Sequence, residues 1–315
     1  MHLTIDANAG EADMTTHSDP KNLSPQTAAE EITSGSPVFY LNGRRKITTP
    51  SSLLVSSSPW LNDARVREWT STESLRRNGH DYPLLYGLPT LMQAVDETCD
   101  IDHVERLVQE ERCKNPAFDR WLSEGFMSSY AKEDLREYPQ GSVGRQLFEY
   151  MEEHDLSPEL NSRLLADPTW KPANTFDFWN LRMGQTHDCY HILGEIGFGS
   201  VAEYFITGVV TGNCFRYLSP ELAGALMATN TLIMFPWMTR TMLHYPGAWP
   251  TLWRNLTYGY DIGQQSDMIF AAKFEDILHL PPAEARDVLG WRGFKGPIDS
   301  REASLIFGEG REIIP

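Results

Sequence analysis

The chain has 315 residues, enough for one large core or two small ones, and it reads as one domain behind a tail. Its 43 acidic and 27 basic residues leave a formal charge of −16, which repels phosphate backbones and argues against nucleic acid as a partner. Cys99, Cys113, Cys189 and Cys214 make no C-x-x-C pair and follow no secretory signal; this argues against a disulfide framework or a thiolate zinc knuckle, and for reduced thiols in a cytoplasmic-type compartment.

Residues 1–58 are rich in Ser, Thr, Asn and Pro, too polar to repay the entropy of ordering, so an irregular acidic tail or linker is expected there. Neither a signal peptide nor an Arg-rich transit peptide is visible in it. Within it, Val38-Phe39-Tyr40-Leu41 beside the Asn42-Gly43 turn signal could dock on the body as a short strand. A single helical domain is expected over 59–315.

From Pro83 onward, apolar residues recur at spacings of three and four: Leu85, Leu88, Leu91, Met92 and Val95, then Val104, Leu107 and Val108, then Phe118, Trp121, Leu122 and Phe126. Pro89 fits only near a helix start. A helix over Ser142–Tyr150 follows Pro139-Gln140-Gly141, and Pro158 marks the next start. Further helices are predicted over 174–193, 199–212, 219–243, 248–263 and 267–279. The apolar run Leu222–Met238, interrupted by polar residues and Pro236, is slightly too short to span a bilayer and reads as a buried helix or a membrane-surface contact. The fold class is therefore all-α, a multi-helix bundle with an irregular N-terminal extension.

Chemistry concentrates in Gln185-Thr186-His187-Asp188-Cys189-Tyr190-His191. On a helix His187 and His191 lie one turn apart on one face, the spacing that lets two imidazoles share an ion, although the pair alone reads equally as hydrogen-bonded core or surface histidines. Asp188 sits about 100° round from His187, close enough to join the ion or to orient an imidazole. On the same unbroken helix Glu203 would lie roughly 18 Å from His191, but Gly194, Gly197 and Gly199 can end that helix, and a returning one could present Glu203 to the same ion. Glu195 is its rival. His80, His103, His154, His244 and His279 lack ligand-like neighbours and read as structural or solvated. Met234-Phe235-Pro236-Trp237-Met238 reads either as ordinary core or as a lining for an apolar ligand.

The pattern His187-Asp188-x-x-His191, eleven residues and Glu203 resembles the signature of the Coq-four family of ubiquinone biosynthesis. Tyr138-Pro139-Gln140-Gly141-Ser142-Val143-Gly144-Arg145 resembles a second segment of that family, and Phe176-x-x-Trp179-x-x-Arg182 resembles the lead-in to its metal motif. The likeness runs from about Asp100 to Gly290. Lys273-Phe274-Glu275 stands where the family tends to have Arg-Trp-Glu, and Lys cannot supply the planar fork of Arg. The acidic tail, where mitochondrial members carry transit peptides, points to a bacterial or otherwise non-mitochondrial relative.

The resemblance implies an all-α fold, a divalent ion (Zn²⁺ first, Fe²⁺ or Mn²⁺ next) on His187, Asp188, His191 and Glu203, and affinity for an isoprenoid lipid. It also implies peripheral contact with the inner face of the membrane and a role at ring carbon one of a polyprenylated 4-hydroxybenzoate, where a carboxylate is lost and a hydroxyl appears. Arg182 is a candidate partner for that carboxylate and Tyr190 a candidate proton donor, each with packing as the alternative. A homo-oligomer and contacts with other quinone-biosynthesis proteins are expected. Three functions stay open: a metal-dependent decarboxylase, a lipid-binding scaffold whose ion only staples two helices, and an enzyme of specialised metabolism acting on another aromatic or polyketide substrate. A His-Asp phosphohydrolase fits the spacing to Glu203 less well.

Overall fold

The computed structural model describes residues 56–75, 87–158 and 166–307. The described residues are all-helical and contain no strand. The expected Val38–Leu41 strand, almost all of the expected tail, and the helix expected after Pro158 lie outside them.

The helices are α1 (Ala64–Leu75), α2 (Leu88–Thr98), α3 (Ile101–Lys114), α4 (Pro116–Glu124), α5 (Lys132–Arg136), α6 (Val143–Glu153) and α7 (Thr175–Leu193). They are followed by α8 (Ser200–Tyr217), α9 (Pro220–Leu226), α10 (Ala228–His244), α11 (Trp249–Gln265), α12 (Pro282–Leu289) and α13 (Arg301–Phe307). Side-chain caps set several starts by satisfying backbone N–H groups that have no partner inside the helix. Asp100 accepts from the His103 N–H, Asn115 from Phe118 and Ser142 from Arg145, while Asn174 opens α7 by accepting from the Asp177 N–H at 2.9 Å. Pro89 stands in the first turn of α2, where its missing N–H costs nothing.

The core gathers around α7. Phe176, Phe178 and Trp179 are buried on it, and Trp121 of α4 packs against Phe178 and Trp179, with ring centroids 5.0 and 6.1 Å apart. Phe270 closes the group 5.3 Å from Trp179. Full burial of each such ring contributes on the order of 2–3 kcal/mol, so this cluster anchors the helix that carries the polar motif.

A second anchor is the pair α8 and α11. Gly208 and Gly212 on one helix face Gly259 and Gly263 on the other, and a Cβ on any of the four would run into a carbonyl oxygen across the contact. The backbones therefore approach closely enough for side chains to reach the opposite main chain. Asn213 donates to the Gly263 and Asp267 carbonyls at 3.0 and 2.8 Å, and Gln264 donates to the Gly212 carbonyl at 2.7 Å.

Two expected helices differ from those observed. The 219–243 segment is broken at Met227 (ψ 5°) into α9 and α10, so its apolar residues serve two directions. The 267–279 segment is two short 3-10 turns, Ile269–Ala271 and Phe274–Ile277, separated by extended Ala272 and Lys273. Tertiary demands override its helical spacing: Asp267 N–H pairs with the Gly290 carbonyl, and Glu275 is drawn to Arg182. No helix among the described residues is long and apolar enough to cross a membrane.

Candidate metal centre

Helix α7 ends at Leu193, the chain turns through 194–199, and α8 returns with Glu203 in its first turn. The turn comes from more than glycine flexibility. Gly194 has an ordinary helical φ of −79° and is needed for space, because a Cβ there would meet the Phe205 ring, whereas the residue with positive φ is Glu195 (49°).

The return brings the expected ligands together. One donor atom each from His187, Asp188 and His191 lie within 4.8 Å of one another, and among the described residues no other group of three His, Cys, Asp or Glu side chains does this. Glu203 stands outside that group of three but beside both imidazoles: its Oε2 is 3.0 Å from His187 Nε2 and its Oε1 is 3.3 Å from His191 Nε2. On the other side of the ring, His187 Nδ1 lies 3.1 Å from Asp188 Oδ1. His191 is buried and places Nδ1 2.9 Å from the Gly197 carbonyl, while His187 and Asp188 are each 38% exposed at the edge of a cavity. Glu195 takes no part, since Arg286 holds its carboxylate at 2.8 Å.

The electrostatics are those of a site short of positive charge. Burial works against an imidazolium at His187, yet the Glu203 carboxylate and the hydrogen bonds to Asp188 and Glu203 raise its pKa from 6.5 to about 10. Burial likewise opposes charge on Glu203, but His187 and His191 hold its carboxyl well below the usual carboxylate range. The donor types of His187, Asp188 and His191, with the Glu203 carboxylate beside the imidazoles, suit a divalent ion of the zinc, iron or manganese type, which would compete with protons for the imidazole nitrogens.

The cluster forms one wall of a cavity of about 1210 Å³. Apolar side chains from several helices line much of the rest, among them Met92, Met183, Ile206, Val210, Ile233 and Met234. Asp177, also on the wall, sits ten residues before His187, which is roughly 15 Å along α7. Asp96, which lines the cavity from α2, has its pKa pushed up to about 6 by burial, then by Asp177 and Glu97.

The two candidates for substrate chemistry are placed differently from expectation. Arg182 is not among the cavity-lining residues: it is 1% exposed and donates to Ser128 Oγ, Gln185 Oε1 and Glu275 Oε1 at 2.9, 3.1 and 3.1 Å. Its charge is used inside the fold, in an ion pair with Glu275. Tyr190 touches the cavity, but its hydroxyl is buried without a hydrogen-bond partner and its ring packs 5.1 Å from Phe274 and 5.6 Å from Trp291. Burial raises that phenol's pKa far above normal, then the neighbouring Cys214 and Cys189.

Two residues singled out by no sequence motif pack on His191, one directly and the other through the first. Phe198 stacks on His191 at 4.6 Å, and Tyr150 of α6 stacks on Phe198 at 3.5 Å with ring planes 9° apart. Tyr150 lines the cavity, and burial followed by the charges of Asp188 and Glu203 raises its phenol pKa. The aromatic at position 198, inside a glycine-rich turn directly after the motif, was the available signal. Of the other histidines, His103 contacts Arg106, His154 packs on Tyr150 and His244 meets the Ser74 carbonyl.

No family model and no curated protein matches the sequence. A solved structure does: the crystal structure of a candidate ubiquinone biosynthesis protein from Nostoc punctiforme is similar over 76% of this chain and 100% of that chain, with a TM-score of 0.52 and 16% identity. At that identity the likeness is one of fold.

Proposed function

We propose that this protein is a metal-dependent decarboxylase acting on a polyprenylated 4-hydroxybenzoate-type acid of ubiquinone biosynthesis; when O₂ takes part, one oxygen atom stays on the same ring carbon as a hydroxyl, CO₂ leaves, and the other oxygen atom departs with water as hydrogen peroxide. One observation carries the reading: donor atoms of His187, Asp188 and His191 gather within 4.8 Å of one another, with Glu203 against the two imidazoles, on the wall of a large cavity that is otherwise mostly apolar. The likeness in fold to a candidate ubiquinone biosynthesis protein supports the choice of substrate class.

A divalent ion held by these four side chains would supply Lewis-acid polarisation of a bound carboxylate, and a redox-active one could also engage O₂. The protein's own residues do the rest. The half-exposed edge of His187 and Asp188 faces the arriving headgroup, while Met183, Ile206, Val210, Ile233 and Met234 receive the apolar chain, each buried methylene contributing about 0.8 kcal/mol. Excluding water there strengthens the electrostatics of the headgroup site. As the carbon–carboxylate bond breaks and CO₂ leaves, the electron pair stays on the ring carbon and takes a proton. Tyr150, kept protonated by burial and two nearby carboxylates, is the donor we favour over Tyr190. Exposed Phe235 (61%), Met242 (53%) and Leu243 (69%) on α10 support peripheral contact with the membrane that dissolves such a substrate.

The test uses a prenylated 4-hydroxybenzoate carrying a ¹³C-labelled carboxylate, incubated with metal-loaded protein. Release of ¹³CO₂ that disappears in His187→Ala is the expected result. A folded, metal-loaded wild type that binds the acid without releasing CO₂ would instead favour a lipid-binding scaffold.

A further inference from the structure

The turn after α7 breaks two local rules at one residue. The Ile196 N–H reaches back to the His191 carbonyl and the Glu195 N–H to the Ile192 carbonyl, the double hydrogen bond of a helix-ending motif whose left-handed position usually belongs to glycine. Here that position is Glu195, with φ 49°. It is also an acid at the negative end of the helix dipole, where a cation is normally favoured. Both choices are unfavourable locally, and such violations persist where the surrounding structure enforces them, often beside a functional site.

The enforcing group is Arg286 of α12. Its Nη2 lies 2.8 Å from Glu195 Oε1 and its Nη1 donates to the Leu193 carbonyl at 2.8 Å, so one guanidinium grips the left-handed residue and one of the helix's last carbonyls. The Phe294 ring lies 4.2 Å from the guanidinium carbon and fixes its plane. Two residues beyond Glu195, the Gly197 carbonyl accepts from His191 Nδ1 at 2.9 Å, and Phe198 stacks on the same ring. A carbonyl can only accept, so Nδ1 is the donor in this bond and Nε2 is turned toward Glu203 and the cluster.

We propose that Arg286 and Glu195 form an ionic clamp that positions the turn, and through it fixes the orientation of the His191 ring, with Nδ1 held on the Gly197 carbonyl. The clamp is a positioning device for the centre, and its effect on metal binding rests on the reading of these side chains as a metal site. Partners that orient a ligating imidazole through its other nitrogen are worth about 10- to 100-fold in metal affinity.

The experiment compares wild type, Arg286→Ala, Arg286→Lys and Glu195→Gln, with Arg292→Ala, which breaks an exposed pair with Asp267, as control. Zinc affinity is read by competition with a chromophoric chelator, and the His191 ring by long-range proton–nitrogen NMR of metal-free protein. Arg286→Ala is expected to bind zinc about 10- to 100-fold more weakly and to lose the hydrogen-bonded Nδ1–H signal that the Gly197 carbonyl holds in place. Arg286→Lys should recover part of both, since an ammonium cannot fork across two acceptors, and Arg292→Ala should change neither. Glu195→Gln gives the same reading if Arg286→Ala does not fold. Unchanged affinity and an unchanged ring signature in the clamp variants would overturn the proposal. A wild type that binds no zinc would sink the metal reading alone, and the ring signature then decides the clamp by itself.

Discussion

Arg182 lies five residues before His187, which places it about 140° away around α7, whereas His191 lies only about 40° from His187. That angle explains why the two histidines share a site while Arg182 turns to Ser128, Gln185 and Glu275. Replacing it by Met would strand the Glu275 carboxylate in a mostly buried place and is expected to cost about 3 kcal/mol of stability in urea unfolding, with metal content unchanged. Loss of metal at full stability would show that the residue acts on the site after all. His187 predicts a pH effect in metal-free protein. Its folded pKa is raised from 6.5 to about 10, so the stability it adds is complete below pH 6.5 and is lost as pH rises toward 10. Glu203, held low, loses its contribution only in strong acid. Melting temperatures of chelator-stripped protein should therefore fall across that alkaline window, modestly because His187 is 38% exposed, and zinc should bind more tightly over the same range. A flat profile would contradict the pairing with Glu203. The grouping of His187, Asp188 and His191 was legible because period and residue type coincide in one short segment. Tyr150 and Phe198 were not, because their roles depend on stacking between α6 and the turn, which no local pattern encodes.

Among elements, α7 and α11 stand within two residues of their expected bounds, and both carry strong local signals: Asn174 at one start, prolines and glycines at the breaks. Helix α8 runs to Tyr217, five residues beyond expectation, because Asn213 is held by carbonyls at the end of α11 and just beyond it. The 267–279 stretch shows the opposite case, where contacts made far away in sequence decide the backbone. The spacing of Gly208, Gly212, Gly259 and Gly263 was a readable sign of close helix approach, but four glycines in two helices look locally like weak points rather than a contact surface. Substitution separates those readings. Gly259→Ala should gain up to about 1 kcal/mol of helix propensity yet lose more than that, a net cost of about 1–3 kcal/mol, because its methyl group would strike the α8 backbone. Gly224→Ala on α9, where nothing lies within 4 Å, should stabilise by about 0.5–1 kcal/mol. Denaturant midpoints for the two variants should move in opposite directions, and a stabilised Gly259→Ala would refute the close packing of α8 and α11.

At the scale of the molecule, fold class was open to sequence reasoning because helical periodicity persists along most of the chain and few alternating runs compete with it. The cavity was not, since its wall is assembled from residues as far apart as Leu88 and Trp237, and residues such as Met234 look the same whether they pack a core or line a void. The cluster and the cavity belong together only once the chain turns after α7, with Glu203 of α8 beside His187 and His191 and Val210 farther along the same wall. The central claim is that this cluster binds a divalent metal. Its most direct test is elemental mass spectrometry of protein purified without chelators, comparing wild type with the His187→Ala, His191→Ala double substitution. About one equivalent of zinc, iron or manganese in the wild type, lost in a folded variant, is the expected result. No metal in folded wild type, even after all three ions are added back, would contradict it.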